Sequence, residues 1–166
     1  LPVPVIAAIH GHCFGGGLQI ALGADFRLMS EHADMSVMEI RWGIIPDMGI
    51  TAALRDIVPR DQIKELAMTG RVLLAKEAHQ MGLVTRLCAD PVTEALALAR
   101  DIASQSPDAI RATKRLFDTG WQGSVDEGLA LEARLQQTLL GRPAQMEAVQ
   151  AAFEKREPEF GPASDA

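Results

Sequence analysis

Residues 11–25 read "GHCFGGGLQIALGAD", and Gly11, Gly15, Gly16, Gly17 and Gly23 all stand within them. On their N-terminal side, residues 3–9 (VPVIAAI) form a short apolar run rich in β-branched residues. Such a run fits a strand buried on both faces. On the C-terminal side, Leu18, Ala21 and Leu22 recur at helical spacing and share one face. "DFRLMS" (25–30) then reads as a second strand and "MSVME" (35–39) as a third short one. Strand, glycine turn, helix, strand is an α/β pattern.

Working outward, residues 50–58, 60–70 and 75–82 are predicted helical, with Gly70 and Gly82 as stop signals for the last two. "LVTRLCA" (83–89) adds a strand. From Pro91 onward helical character dominates, over 92–105, 107–119, 125–140 and 143–156. Pro107 and Pro143 fall where a first helical turn tolerates proline, and Ser106 and Ser124 are predicted N-caps. The tail, "EPEFGPASDA", is polar and expected to fray. No sequence repeat or long linker interrupts the chain, so an α/β body over 1–90 and a helical region over 91–166 are expected.

Composition narrows the function. The 166 residues suffice for one domain with a real core. The formal net charge of -6 argues against a nucleic-acid groove, which needs clustered Lys and Arg. No apolar run approaches the roughly 18–20 residues of a membrane-spanning helix, and no signal-peptide pattern is seen. Two cysteines, Cys13 and Cys88, do not make a disulfide framework, and a reducing, cytoplasmic setting is expected. The chain opens on Leu1 in strand-like sequence, as expected of the later part of a longer protein.

A glycine turn opening a helix presents backbone N–H groups at the positive end of the helix dipole. It can hold a phosphate, stabilise an oxyanion developing on a carbonyl, or simply let helix and strand pack closely. The pattern GxxxxGK[ST] fails because no Lys follows Gly16 or Gly17, and GxGxxG fails on spacing. Gly11–Gly15 also match a nucleophile elbow with Cys13 as nucleophile. A hydrolase of that type places its histidine well downstream, yet the last histidine is His79. The plainer reading of Cys13 is a small buried hydrophobe. His10, His12 and Cys13 lack a second ligand pair at zinc spacing, so no metal site is expected from them.

Taken together, "PVIAAIHGHCFGGGLQIALGADFRLMSEHADMSVMEIRWGIIPDMG" (4–49) resembles the central signature of the crotonase superfamily, the enoyl-CoA hydratases and isomerases. The resemblance continues through "LAMTGRVLLAKEAHQMGLVTRL" and "ASQSPDAIRATKRLF" to "AAFEKREPEF". It implies a spiral of β-β-α units, of which this chain holds the C-terminal part, with a helical region that assembles trimers, often stacked into hexamers. It implies an acyl-CoA substrate and no separate cofactor, CoA being part of the substrate. Gly16 would supply one of two backbone donors to the thioester oxygen; the other lies in the family's N-terminal half. Hydratases of the family use two glutamates, one at Glu39 and one where this chain has Gln19. An amide cannot give or take a proton at a useful pKa, so hydration gives way to double-bond isomerisation of a 3-enoyl- or 3,5-dienoyl-CoA. Asp47 matches a second acid of the dienoyl-CoA isomerases, although those usually carry Asp where Gln19 stands; its plainer use is an N-cap for a helix starting near Met48. For Glu39 the plainer reading is a solvated helix start. Phe153 and Lys155 match a closing segment that covers the CoA nucleotide. A hydratase with Gln at one catalytic position, and a non-catalytic assembly module, are the alternatives.

Overall fold

The computed structural model describes residues 1–55 and 57–164. They divide into two compact units, one of Val5–Ala97 and one of Leu1–Pro4 with Leu98–Ala166, and the division falls inside a helix.

The Val5–Ala97 unit is built on two three-stranded sheets. Strand β1 (Ile6–Ile9) starts later than the apolar run suggests. Pro4 has no N–H to give a ladder, and the Val5 N–H is taken by the Asp25 carboxylate at 2.6 Å. Strand β2 (His12–Phe14) follows at once, then helix α1 (Gly16–Leu22), strand β3 (Phe26–Ser30) and strand β4 (Asp34–Ser36). A one-turn 3-10 helix (Glu39–Trp42) comes next, so Glu39 ends outside the strand expected over 35–39. Strands β1 and β3 pair in parallel in one sheet and β2 and β4 in the other, so each strand-strand-helix unit gives one strand to each sheet.

Helix α2 (Ile50–Ala53) covers only the start of the helix expected over 50–58. Val58 precedes Pro59, which disfavours helical geometry, and the Ile57 and Val58 N–H groups both turn back to the Leu54 carbonyl. Asp56 lies outside the described residues. Helix α3 (Arg60–Thr69) ends at Gly70 in the left-handed conformation. Strand β5 (Leu73–Leu74) pairs antiparallel with β4, and after helix α4 (Ala75–Gln80) strand β6 (Arg86–Cys88) pairs in parallel with β3. Leu18, Ala21 and Leu22 of α1 pack into one core with Met29, Met35, Leu54, Leu66, Leu73 and Leu83. The buried Arg27 guanidinium donates to the carbonyls of Leu83 (2.7 Å) and Ala24 (2.7 Å), tying β3 to its neighbours. Burial lowers its pKa, and Asp25 partly opposes that.

Residues 91–154 are mostly helical: α5 (Pro91–Ala103), α6 (Pro107–Gly120), α7 (Val125–Leu139) and α8 (Pro143–Glu154). Ser106 caps α6, and Ser124 forms a reciprocal capping box with Glu127 at the start of α7. Pro107 and Pro143 open their helices. Among the described residues no helix is long and apolar enough to cross a membrane.

As far as Ser164 the polar tail is held by hydrogen bonds and not frayed as its composition suggests; Asp165 and Ala166 lie outside the described residues. Lys155 ends α8 in the left-handed conformation, and Arg156 turns back to grip Glu147 at 2.5 and 3.0 Å. The Glu159 N–H donates to the same carboxylate (2.8 Å), and Ser164 binds Asp108 through its N–H (2.7 Å) and hydroxyl (2.9 Å).

Hydrogen bonds from Arg156 first, then from the Glu159 N–H, hold the Glu147 carboxyl down at about 2. A depressed carboxylate contributes in its ionised state, above the ordinary value, and loses that contribution as pH falls through the folded one. The protection of the Glu159 amide against hydrogen exchange is therefore expected to be full above about 4.5 and lost toward about 2. Glu147→Gln is expected to lower it already at neutral pH. The check is exchange of that single amide, followed by NMR across the pH range.

Candidate functional site

The glycine turn, the first helix and the short 3-10 helix converge on one buried carboxylate. Gly15 adopts φ 53°, a conformation that favours glycine, and turns the chain from β2 into α1. A Cβ built there would stand 3.6 Å from Glu39 Oε1, so the carboxylate lies against the turn itself. Glu39 opens the 3-10 helix, but it is only 7% exposed, which overturns a solvated helix start.

Glu39 Oε1 accepts a hydrogen bond of 2.5 Å from Gln19 Nε2. Gln19 Oε1 in turn accepts from the Met48 backbone N–H at 2.7 Å. Each contact fixes the amide's orientation independently, because a carboxylate can only accept and a peptide N–H can only donate. Glu39 Oε2 is buried and has no hydrogen-bond partner among the described residues. Leaving a buried polar atom unpaired costs about 1–3 kcal/mol, and more for a charged group. Such an atom in an otherwise satisfied core marks a place where something else binds or reacts.

The backbone donors sort themselves. The Gly15 N–H is spent on the Ser36 carbonyl (2.9 Å), and Gln19 N–H on the Gly15 carbonyl (3.1 Å). The Gly16 N–H opens α1 and has no acceptor among the described residues, as expected of a first helical residue. Met48 covers Gly16 closely: a Cβ on that glycine would stand 3.1 Å from the Met48 sulfur.

The other expected site residues fall elsewhere. Asp47 is exposed and adjoins Met48 in sequence. It does not cap the helix that follows, since α2 starts at Ile50 with Gly49 at its N-cap. Phe153, 84% exposed, and Lys155 belong to the helical unit. Cys13 lies within β2 rather than at the turn, and its burial raises the thiol pKa, opposite to what a nucleophile needs. His12 leaves the core and pairs with Asp34 at 2.7 Å. Among the described residues no three His, Cys, Asp or Glu side chains stand together as metal ligands. Met48, by contrast, reaches the site through its backbone, and only the amide at Gln19, with its need for a donor, could have hinted at that.

A strand-strand-helix spiral with a buried carboxylate against a glycine turn is the arrangement of the crotonase fold. A family model described as enoyl-CoA hydratase/isomerase matches residues 1–163. The chain is 36% identical over 163 residues to a carnitinyl-CoA dehydratase of Salmonella arizonae, covering 95% of this chain and 62% of that protein. It is 37% identical over 160 residues to a mitochondrial Delta(3,5)-Delta(2,4)-dienoyl-CoA isomerase of Rattus norvegicus, covering 94% and 49%. The crystal structure of an enoyl-CoA hydratase from Bacillus anthracis superimposes with a TM-score of 0.92 at 36% identity, over 96% of this chain and 63% of that one. The chain belongs to the enoyl-CoA hydratase/isomerase family. It spans about three-fifths of the length of the first two curated relatives it matches, at 62% and 61%.

Gln19→Leu removes the donor to Glu39 and the acceptor for Met48 together. The buried Glu39 Oε1 and the partly buried Met48 N–H are then left unpaired, and the unfolding free energy is expected to fall by about 1–3 kcal/mol. The check is the urea midpoint at unchanged slope, measured beside the parent protein.

Proposed function

We propose that the protein is an acyl-CoA isomerase that moves a double bond through an enolate, with Glu39 as its principal base and acid. The reading rests on one observation: Glu39 Oε2 is buried beside the glycine turn with no partner among the described residues, while Oε1 is already held. A proton at the carbon next to a thioester carbonyl would pass to Oε2. The charge that develops on the thioester oxygen would be met by the Gly16 N–H, donating from a helix start. Returning the proton from Glu39 to C4 converts a 3-enoyl to a 2-enoyl thioester, with no net change in protons. For a 3,5-dienoyl substrate the proton returns at C6, and Asp47 is the second acid. Asp47 adjoins Met48, whose N–H is fixed on Gln19, so its backbone is anchored to the same relay.

Gln19 supports isomerisation over hydration. Its Nε2 donates to Glu39 and its Oε1 accepts from Met48, so it positions the base and transfers no proton. CoA enters as part of the substrate, and Phe153 and Lys155 are the proposed contacts to its nucleotide end. Assembly as a trimer or hexamer in the cytoplasm belongs to the same reading. Exposed apolar side chains on the C-terminal helices support it, among them Phe117, Leu129 and Met146, with Trp121 just past the end of α6. A second reading, hydration of a 2-enoyl-CoA, is favoured by the likeness to the Bacillus anthracis hydratase.

Glu39→Gln in the full-length protein is expected to abolish migration of the double bond, followed by absorbance of the conjugated product. Migration that survives in this variant would sink the assignment. Gln19→Glu separates the two readings: a rise in water addition to a 2-enoyl-CoA marks a site limited only by the missing carboxylate, and continued isomerisation without hydration marks an isomerase.

A further inference from the structure

The carboxylate is carried by a helix of a single turn. Such a turn has few hydrogen bonds of its own and must be held from outside. Beneath the turn, one carbonyl gathers two side-chain hydrogen bonds. Gly70 O accepts from Arg41 Nη2 at 3.0 Å and from Ser36 Oγ at 3.1 Å. Arg41 lies two residues past Glu39 in the same turn. Ser36 is fully buried, and its own carbonyl accepts the Gly15 N–H. A chain of bonds therefore runs from the glycine turn through Ser36 and Gly70 to Arg41 and the turn bearing Glu39. Gly70 has φ 59°, and a Cβ there would stand 3.0 Å from Ile40 Cγ2, so the 3-10 helix sits directly on this residue. Arg41 makes no ion pair among the described residues. Its guanidinium is used as a strut on a neutral carbonyl.

We propose that Arg41 and Ser36 are positioning residues which, by sharing the Gly70 carbonyl, set where the Glu39 carboxylate stands against the glycine turn. The inference rests on the reading of Glu39 as the base and adds what places it. Gln19 holds the carboxylate at its tip, and the Gly70 carbonyl holds the backbone beneath it. A displacement of about 1 Å at a reacting group can cost on the order of a hundredfold in rate.

The test uses the full-length protein and incorporation of deuterium from D2O beside the thioester carbonyl of a 3-enoyl-CoA, which reads enolate formation whatever the final product. Arg41→Ala is expected to lower kcat for exchange roughly ten- to a hundredfold. KM should stay within about twofold, because binding is untouched. Arg41→Lys, which keeps a donor in reach of the carbonyl, should restore most of the loss. Ser36→Ala removes one oxygen from the other side of the link and should give the same loss in kcat alone. Unchanged kcat in Arg41→Ala, kcat and KM moving together, or no recovery with Lys would each overturn the proposal. Glu39→Gln is run beside them. Exchange surviving there overturns the reading of Glu39 and the positioning claim with it; full exchange in Arg41→Ala beside an inactive Glu39→Gln overturns the positioning claim alone.

Discussion

One hydrogen bond organises the site: Gln19 Nε2 to Glu39 Oε1, 2.5 Å long and buried. It joins the first helix to the 3-10 turn, two segments 20 residues apart in sequence. By occupying one carboxylate oxygen it leaves the other to face its surroundings alone. The same amide reaches Met48 and so ties down the segment entering α2. A buried carboxylate with a single donor is tolerated only because the surrounding core holds it in place. The two sheets, the Arg27 contacts and the packing of α1 provide that support.

Two supports of different kind therefore act on one residue. The side chain of Glu39 is oriented by an amide, and its backbone is seated on the end of α3. The chain order explains why both are needed. Glu39 lies in the connection over 37–49 between β4 and α2, where no long helix or paired strand fixes it. Functional groups on such connections gain their accuracy from the elements around them.

Much of this was legible in the sequence, and the reasons differ by element. The apolar periodicity of α1 and the caps at Ser106 and Ser124 are local signals, written within a few residues, and they marked their helices correctly. The strands β2 and β5 carry no such signal. At three and two residues they are too short for alternation to show, and they exist because β4 lies between them. The strand-strand-helix repeat is likewise a repeat of geometry without a repeat of sequence. The hold on residues 156–159 depends on Glu147 meeting Arg156 and Glu159, pairings that composition alone cannot express. At the site, Gln19 and Glu39 stood out as residues, yet their contact did not, since nothing in spacing fixes a bond across 20 positions.

At position 19 an amide and a protonated acid can make the same contacts, whereas an ionised acid would repel the Glu39 carboxylate 2.5 Å away. Both have the same shape, both can accept from the Met48 N–H, and a protonated acid can replace the amide as donor to Glu39. In the genetic code a single base separates Gln from Glu. One mutation thus exchanges the amide for an acid of the same shape in contact with Glu39. The shape of the side chain at the centre can stay constant while its hydrogen-bonding character changes by one letter.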